Sequence, residues 1–143
     1  MTTLVPVLGS QILVKVGNGA SPEVFAHANI INMERGITFS TEVAVDQLPD
    51  LADQSLPAQT HRRIIATDVV INGSGKLPAG DSLEWVEWWN TGAVKNLQIT
   101  DGHFLVTGPF VLENFNPSGD RTALVECSVT LSQAGPVTVS EAP

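Results

Sequence analysis

The side chains of this chain with the most chemistry to offer are three histidines (His27, His61, His103), the lone Cys127, the Glu84/Glu87 pair and three close tryptophans (Trp85, Trp88, Trp89). A histidine becomes a metal ligand or an acid–base group only beside a partner, and none of the three stands at ligand spacing from another His, a Cys or a carboxylate. Glu84 and Glu87 share one helix face, but with no partner acid, metal ligand or basic neighbour a solvated face explains them better than a catalytic pair. Three tryptophans in five residues offer either a ligand platform or the bulk with which a single helix plugs one end of a sheet; the second reading is preferred. Cys127 falls on the apolar side of an alternating strand and reads as a small buried hydrophobe. A GxSxG elbow, a phosphate-binding glycine loop and HExxH are all missing, and Gly17-Asn18-Gly19 and Gly73-Ser74-Gly75 read as turns. No catalytic, cofactor-binding or metal-binding residue is assigned.

The elements that must hold these residues are mostly strands. Residues 11–16 form a first strand and residues 25–33 a weaker second, with Glu34-Arg35-Gly36 turning the chain. From 37 to 45 the pattern alternates, Ile37, Phe39, Val43 and Val45 toward a core and Thr38, Ser40, Glu42 and Asp46 toward water. Between 46 and 61 it dissolves around Pro49 and Pro57, yet Leu48, Leu51 and Leu56 recur there. Such a loop either orders on a partner or folds back over its own core. Residues 62–72 carry Ile64, Ile65, Val69, Val70 and Ile71 on both faces, as in a strand covered on both sides and ended by Gly73-Ser74-Gly75.

One helix follows, with Asp81 as N-cap, Glu84 completing a capping box and Gly92 as the stop. Strands over 94–100 and 103–114 are joined by Asp101-Gly102, a two-residue hairpin turn, and Gly108-Pro109 marks a bulge or an edge. The last third reads as two long strands joined by residues 116–120. In the second, Ala123, Val125, Cys127, Val129 and Leu131 oppose Thr122, Glu126, Ser128, Thr130 and Ser132. That ribbon is longer than a small sandwich core needs and looks built to pair with something beyond itself. The fold class is all-β with one α-helix, a β-sandwich or partly open barrel with a long loop, spanning residues 1–143 as one domain.

At 143 residues the chain can bury a sizeable core, and one cysteine excludes an intramolecular disulfide. Seven basic against fifteen acidic residues, a formal charge of −8, disfavour a grip on nucleic-acid backbone. The same balance suits a surface past which nucleic acid slides without sticking. The adjacent Arg62-Arg63 suits an acidic neighbour, a second copy included. The first nine residues lack a basic n-region and a cleavage site, and no run approaches a membrane span, so the expectation is a chain made and kept, or assembled, in a cytoplasm.

Taken in order, Gly9-Ser10-Gln11-Ile12-Leu13-Val14-Lys15-Val16-Gly17, then Asn72-Gly73-Ser74-Gly75, the hairpin over 102–110 and the strand over 122–131 ending at Gly135 are similar to a known pattern. The chain resembles the major tail tube proteins of long-tailed phages and of related gene transfer agents and contractile particles. The resemblance implies a structural virion protein, not an enzyme and without a cofactor, stacked as hexameric rings into a hollow tail tube assembled in the host bacterial cytoplasm. It also implies a tape-measure protein and tail-end proteins as partners, and DNA passing through the lumen without specific binding. Strands from neighbouring subunits would join into a multi-subunit lumen barrel, removing the sheet edges that invite uncontrolled pairing.

On that reading Leu48, Leu51, Leu56, Arg62 and Arg63 form an inter-subunit loop. Thr38, Ser40 and Glu42, or Glu126, Ser128 and Thr130, face the lumen. The rival readings are a carbohydrate- or surface-binding β-sandwich using the tryptophans, an enzyme with a histidine-centred site, and the tube protein of a contractile secretion system.

Overall fold

The computed structural model describes residues 4–6, 8–19, 23–78 and 80–142. After a 3-10 turn at Gly9–Gln11 come β1 (Leu13–Gly17), β2 (Phe25–His27), β3 (Glu34–Leu48), β4 (Gln59–Lys76), α1 (Ser82–Thr91), β5 (Lys95–Thr100), β6 (Phe104–Ser118), β7 (Glu126–Gln133) and β8 (Thr138–Glu141). All eight strands belong to one open sheet of order β2-β1-β5-β6-β7-β4-β3, with β8 pairing β6 off that path. Two compact units emerge, Met1–Ile37 with Val70–Pro143, and Thr38–Val69.

In the larger unit the period of two does what elementary sheet geometry requires. Leu97 and Ile99 of β5, Val106 and Phe110 of β6, and Cys127, Val129 and Leu131 of β7 are buried, together with Val14, Ile30, Ile31 and Ile71. Helix α1 closes over Phe115 with Trp85, whose ring centroid lies 6.2 Å away, and Trp85 and Trp88 are 5.2 Å apart. Trp88 satisfies its indole N–H by donating to the Ala93 carbonyl at 2.7 Å, and Lys95 Nζ stands 4.9 Å over its ring. Two of the three tryptophans are therefore packing groups, while Trp89 is 62% exposed. Gly92 ends the helix at φ 64°, its N–H donating to the Trp88 carbonyl. Asp81 stands at the N-cap with helical backbone angles and no side-chain cap bond, so the expected capping box does not form.

Several turns read from the sequence are strand instead. Glu34-Arg35-Gly36 opens β3, because the Arg35 guanidinium donates from Nη1 to the carbonyls of Gly9, Ser10 and Ile12 at 3.1 to 3.4 Å and holds the chain extended there. The weak second strand shrinks to Phe25–His27, and the chain then turns through Ile30 and Ile31 into the core. Gly73 and Gly75 lie inside β4, where the segment carrying Ile30, Ile31 and Asn32 crosses so closely that a Cβ on Gly73 would sit 2.6 Å from Ile31.

The β5–β6 connection takes three residues rather than two. Asp101 Oδ1 accepts the N–H groups of His103 and Phe104 at 2.9 and 3.1 Å, and these bonds hold its carboxyl below the usual range. Gly108-Pro109 is not a bulge but does hold a local edge position, paired with Leu97 and Asn96 of β5 on one side and with no ladder partner on the other. It lies where β6 exchanges β8, paired over Phe104 to Thr107, for β7, paired from Phe110 on. The bulge is further along, where Leu112 pairs Leu131 and Asn114 pairs Thr130 with Glu113 left over. Finally, β7 starts at Glu126; residues 119–125 are loop, stabilised by the Ala123 N–H donating to the Asp120 carbonyl.

Candidate assembly surfaces

Residues 38–69 hold most of β3, the first part of β4 and the loop between them. The loop is built from local turns: Asp50 Oδ1 accepts the Ala52 N–H at 2.8 Å, and Asp53 Oδ1 accepts both the Ser55 hydroxyl at 2.6 Å and its N–H at 3.1 Å. Those bonds, the hydroxyl's first, hold the Asp53 carboxyl below its ordinary range. Leu48, Leu51 and Leu56 are 53%, 86% and 51% exposed. Phe39, Val43 and Val45, expected on a core face, are exposed as well, and so are Ile64 and Ile65, expected to be covered on both sides. The physical reason is that a two-stranded ribbon supplies two faces and no second layer to bury either. Arg62 and Arg63 are both exposed, and Arg63 is paired with Asp46 of the same ribbon at 3.1 Å. A concentration of uncovered apolar side chains on this scale makes the ribbon a candidate interaction surface.

The second surface lies in the larger unit. Glu126, Ser128 and Thr130 of β7 stand opposite Lys76, Ser74 and Asn72 of β4 and Ser118, Asn116 and Asn114 of β6. Nine polar side chains thus form a carpet three strands wide, with one positive and one negative charge among them. Thr130 Oγ1 donates to Asn72 Oδ1 at 3.1 Å, and Lys76 Nζ pairs with Glu126. The reverse of the same strands is dry, with Cys127, Val129 and Leu131 buried. Burial pushes the Cys127 thiol up, as expected for an inert hydrophobe. Thr38, Ser40 and Glu42 are exposed on β3 in the smaller unit.

The Lys76 bond, and then the Lys76 charge, hold the Glu126 carboxyl below its ordinary range. A depressed carboxylate contributes stability above its unfolded pKa, about 4.5, that is lost as pH falls through the folded value. Glu126→Gln should therefore melt slightly below wild type at pH 7, with the gap closing at pH 3. A gap that is constant with pH would remove the ion pair from the account.

Besides the short outer strands β2 and β8, two longer strand edges stand open among the described residues. The strand β3, fifteen residues long, ends the sheet order. On β6 the neighbour β5 pairs only from Leu105 to Phe110, so residues 111–118 have β7 on one side and no strand on the other. An unpaired edge of that length is a template for another chain. No cluster of three or more His, Cys, Asp or Glu side chains among the described residues is placed to hold a metal ion. Of the residues named from the sequence, the loop leucines and Glu126 and Ser128 of β7 are exposed and Thr130 is half-buried; the polar residues that flank β7 on β4 and β6 are given by the strand register alone.

Comparison with curated proteins by sequence finds no match. Solved structures do resemble the fold. The tail of an empty gene transfer agent particle, refined with C6 symmetry, matches with a TM-score of 0.69 at 18% identity, over 93% of this chain and 98% of that one. The SPP1 tail tube matches at 0.65 and 11% identity, over 96% of this chain and 80% of that one. A chain of the sheath–tube complex of an extracellular contractile injection system matches at 0.63 and 13%, over 96% and 93%. The profile of the phage tail tube proteins covers residues 6–139. With a match across nearly its whole length, this chain belongs to the phage tail tube protein family, and its role is structural.

Proposed function

We propose that copies of this chain close into rings by strand pairing, and that the rings stack into a hollow tail tube with a polar lumen through which DNA passes. The observation that carries this reading is the pair of long open edges, β3 and residues 111–118 of β6, at the two ends of the strand series β6-β7-β4-β3, whose first three strands bear the polar carpet. The strands β6, β7 and β4 alternate in direction, and β3 joins β4 through the short segment 49–58, too short for a parallel crossover. Four alternating strands let β3 of one copy meet β6 of a rotated neighbour antiparallel, so a ring closes without a mismatched seam. Six copies per ring is the symmetry of the gene transfer agent tail that shares this fold.

The wall facing the lumen is the side of Glu126, Ser128 and Thr130 in the larger unit; Thr38, Ser40 and Glu42 of β3 are the other polar set that copies of this chain can turn to the lumen. Hydroxyls, amides and a self-neutralised ion pair give a polyanion nothing to adhere to. The arm carrying Leu48, Leu51, Leu56, Arg62 and Arg63 locks one copy to the next. The chain does no catalysis and carries no cofactor; a tape-measure protein fills the tube and tail-end proteins close it, in a virion tail assembled in the host cytoplasm.

Negative-stain microscopy of concentrated purified protein tests the reading, with hollow tubes or six-membered rings as the expected result. A chain that stays solitary at every concentration, and within its particle, would overturn it.

A further inference from the structure

Helix α1 has a second face that its own unit leaves bare. Opposite the buried Trp85 and Trp88, the side chains of Leu83, Val86 and Trp89 are 65%, 45% and 62% exposed. Glu84 and Glu87 flank them, and no Lys or Arg occurs between Leu77 and Val94. This is an apolar strip with an uncompensated negative border.

The chain contains one surface of the complementary kind. In β4, Arg62 and Arg63 are the only adjacent basic residues, followed by exposed Ile64 and Ile65. Strand alternation puts Arg62 and Ile64 on one face and Arg63 and Ile65 on the other. Arg63 is engaged by Asp46, whereas Arg62 makes no ion pair among the described residues. Its face thus presents one unsatisfied cation and one bare aliphatic group. The spacings agree too: same-face neighbours on a strand are roughly 6.6 Å apart, and positions i and i+4 on a helix about 6 Å.

We propose that α1 of one copy is the docking site for β4 of a second copy, with Ile64 seated on Leu83 and Val86, Arg62 paired to Glu87, and Trp89 covered at the border. The proposal rests on the tube reading above and names the partner surface for its arm. Apolar contact holds the arm down, and the single charge pair fixes which way it lies along the helix.

A charge-reversal cycle tests it on the full chain. Arg62→Glu and Glu87→Arg should each lower pelletable tube by about tenfold or more, and the double variant should recover most of it, since each single variant faces like charges and the pair restores attraction. The side chains are exposed, so circular dichroism and melting of the free subunit should be unchanged. In the wild type, acrylamide quenching of tryptophan emission should fall on assembly as Trp89 is covered. Single variants that assemble normally beside wild-type tubes, a double variant that does not recover, or unchanged quenching would each overturn the docking site and leave the tube reading standing. Wild-type protein that forms no tubes under any condition would remove both.

Discussion

Replacing Leu48, Leu51 and Leu56 together with Ser should abolish tubes and leave a folded subunit with an unchanged melting curve. All three are half or more exposed in the single chain, so their loss opens no cavity in the core. Their value would appear only on assembly, where full burial of a Leu is worth roughly 1.5–3 kcal/mol. Three of them would supply an upper bound of roughly 5–9 kcal/mol per subunit by the same scale, which at tenfold per 1.4 kcal/mol is about three to six orders of magnitude in association. Sedimentation of the variant beside wild type, with circular dichroism as the folding control, decides the matter. Tubes in normal yield would exclude the loop from the lock.

The largest effect on stability is expected at Gly75. An added Cβ there would lie 2.3 Å from Asn32 Oδ1 and 2.7 Å from the Ile30 carbonyl oxygen, and the second of these belongs to backbone that cannot swing aside. Asn32 would have to leave. Its amide donates to the carbonyls of Asn29 and Lys76 at 2.9 and 2.8 Å, and its oxygen accepts the Lys76 N–H at 3.0 Å. Overpacking costs about 1–3 kcal/mol, and each of the three lost hydrogen bonds about 1 kcal/mol, so Gly75→Ala should lose on the order of 4–6 kcal/mol. For a domain of this size that is a fall in Tm on the order of 10–20 °C. Gly9→Ala is the matched control, because nothing lies within 4 Å of its added Cβ. Equal melting of the two variants would mean that the segment at 30–32 does not cross β4 as described.

What could be read from the sequence was whatever depends on near neighbours along the chain. The alternation of Cys127, Val129 and Leu131 fixed the buried face of β7, and Gly92 marked the helix stop through its left-handed backbone. Features set by distant residues were not legible. Gly73 and Gly75 resemble a turn because glycine serves turns and close crossings equally well, and only the arrival of Ile31 and Asn32 tells them apart. Arg35 lies in a turn-like triplet whose extended shape depends on carbonyls more than twenty residues earlier. Alternation over 37–45 showed a two-faced strand, but it could not show that within residues 38–69 neither face has a cover. The leucines of the arm were visible as a pattern break; the open stretch of β6 was not, since it follows from where β5 stops pairing.

The surplus residue Glu113 sets the phase of β6. Phe110 and Leu112 stand on the dry side before it, and Phe115, opposite Val129, stands on that side after it, which an unbroken period of two would forbid. A surplus residue also bends the strand that carries it. The bend of β6 is therefore written into residue count at this point and not into the identity of any one side chain. Deleting Glu113 would turn Phe115 from the dry side to the wet one, and no substitution at 113 would do the same.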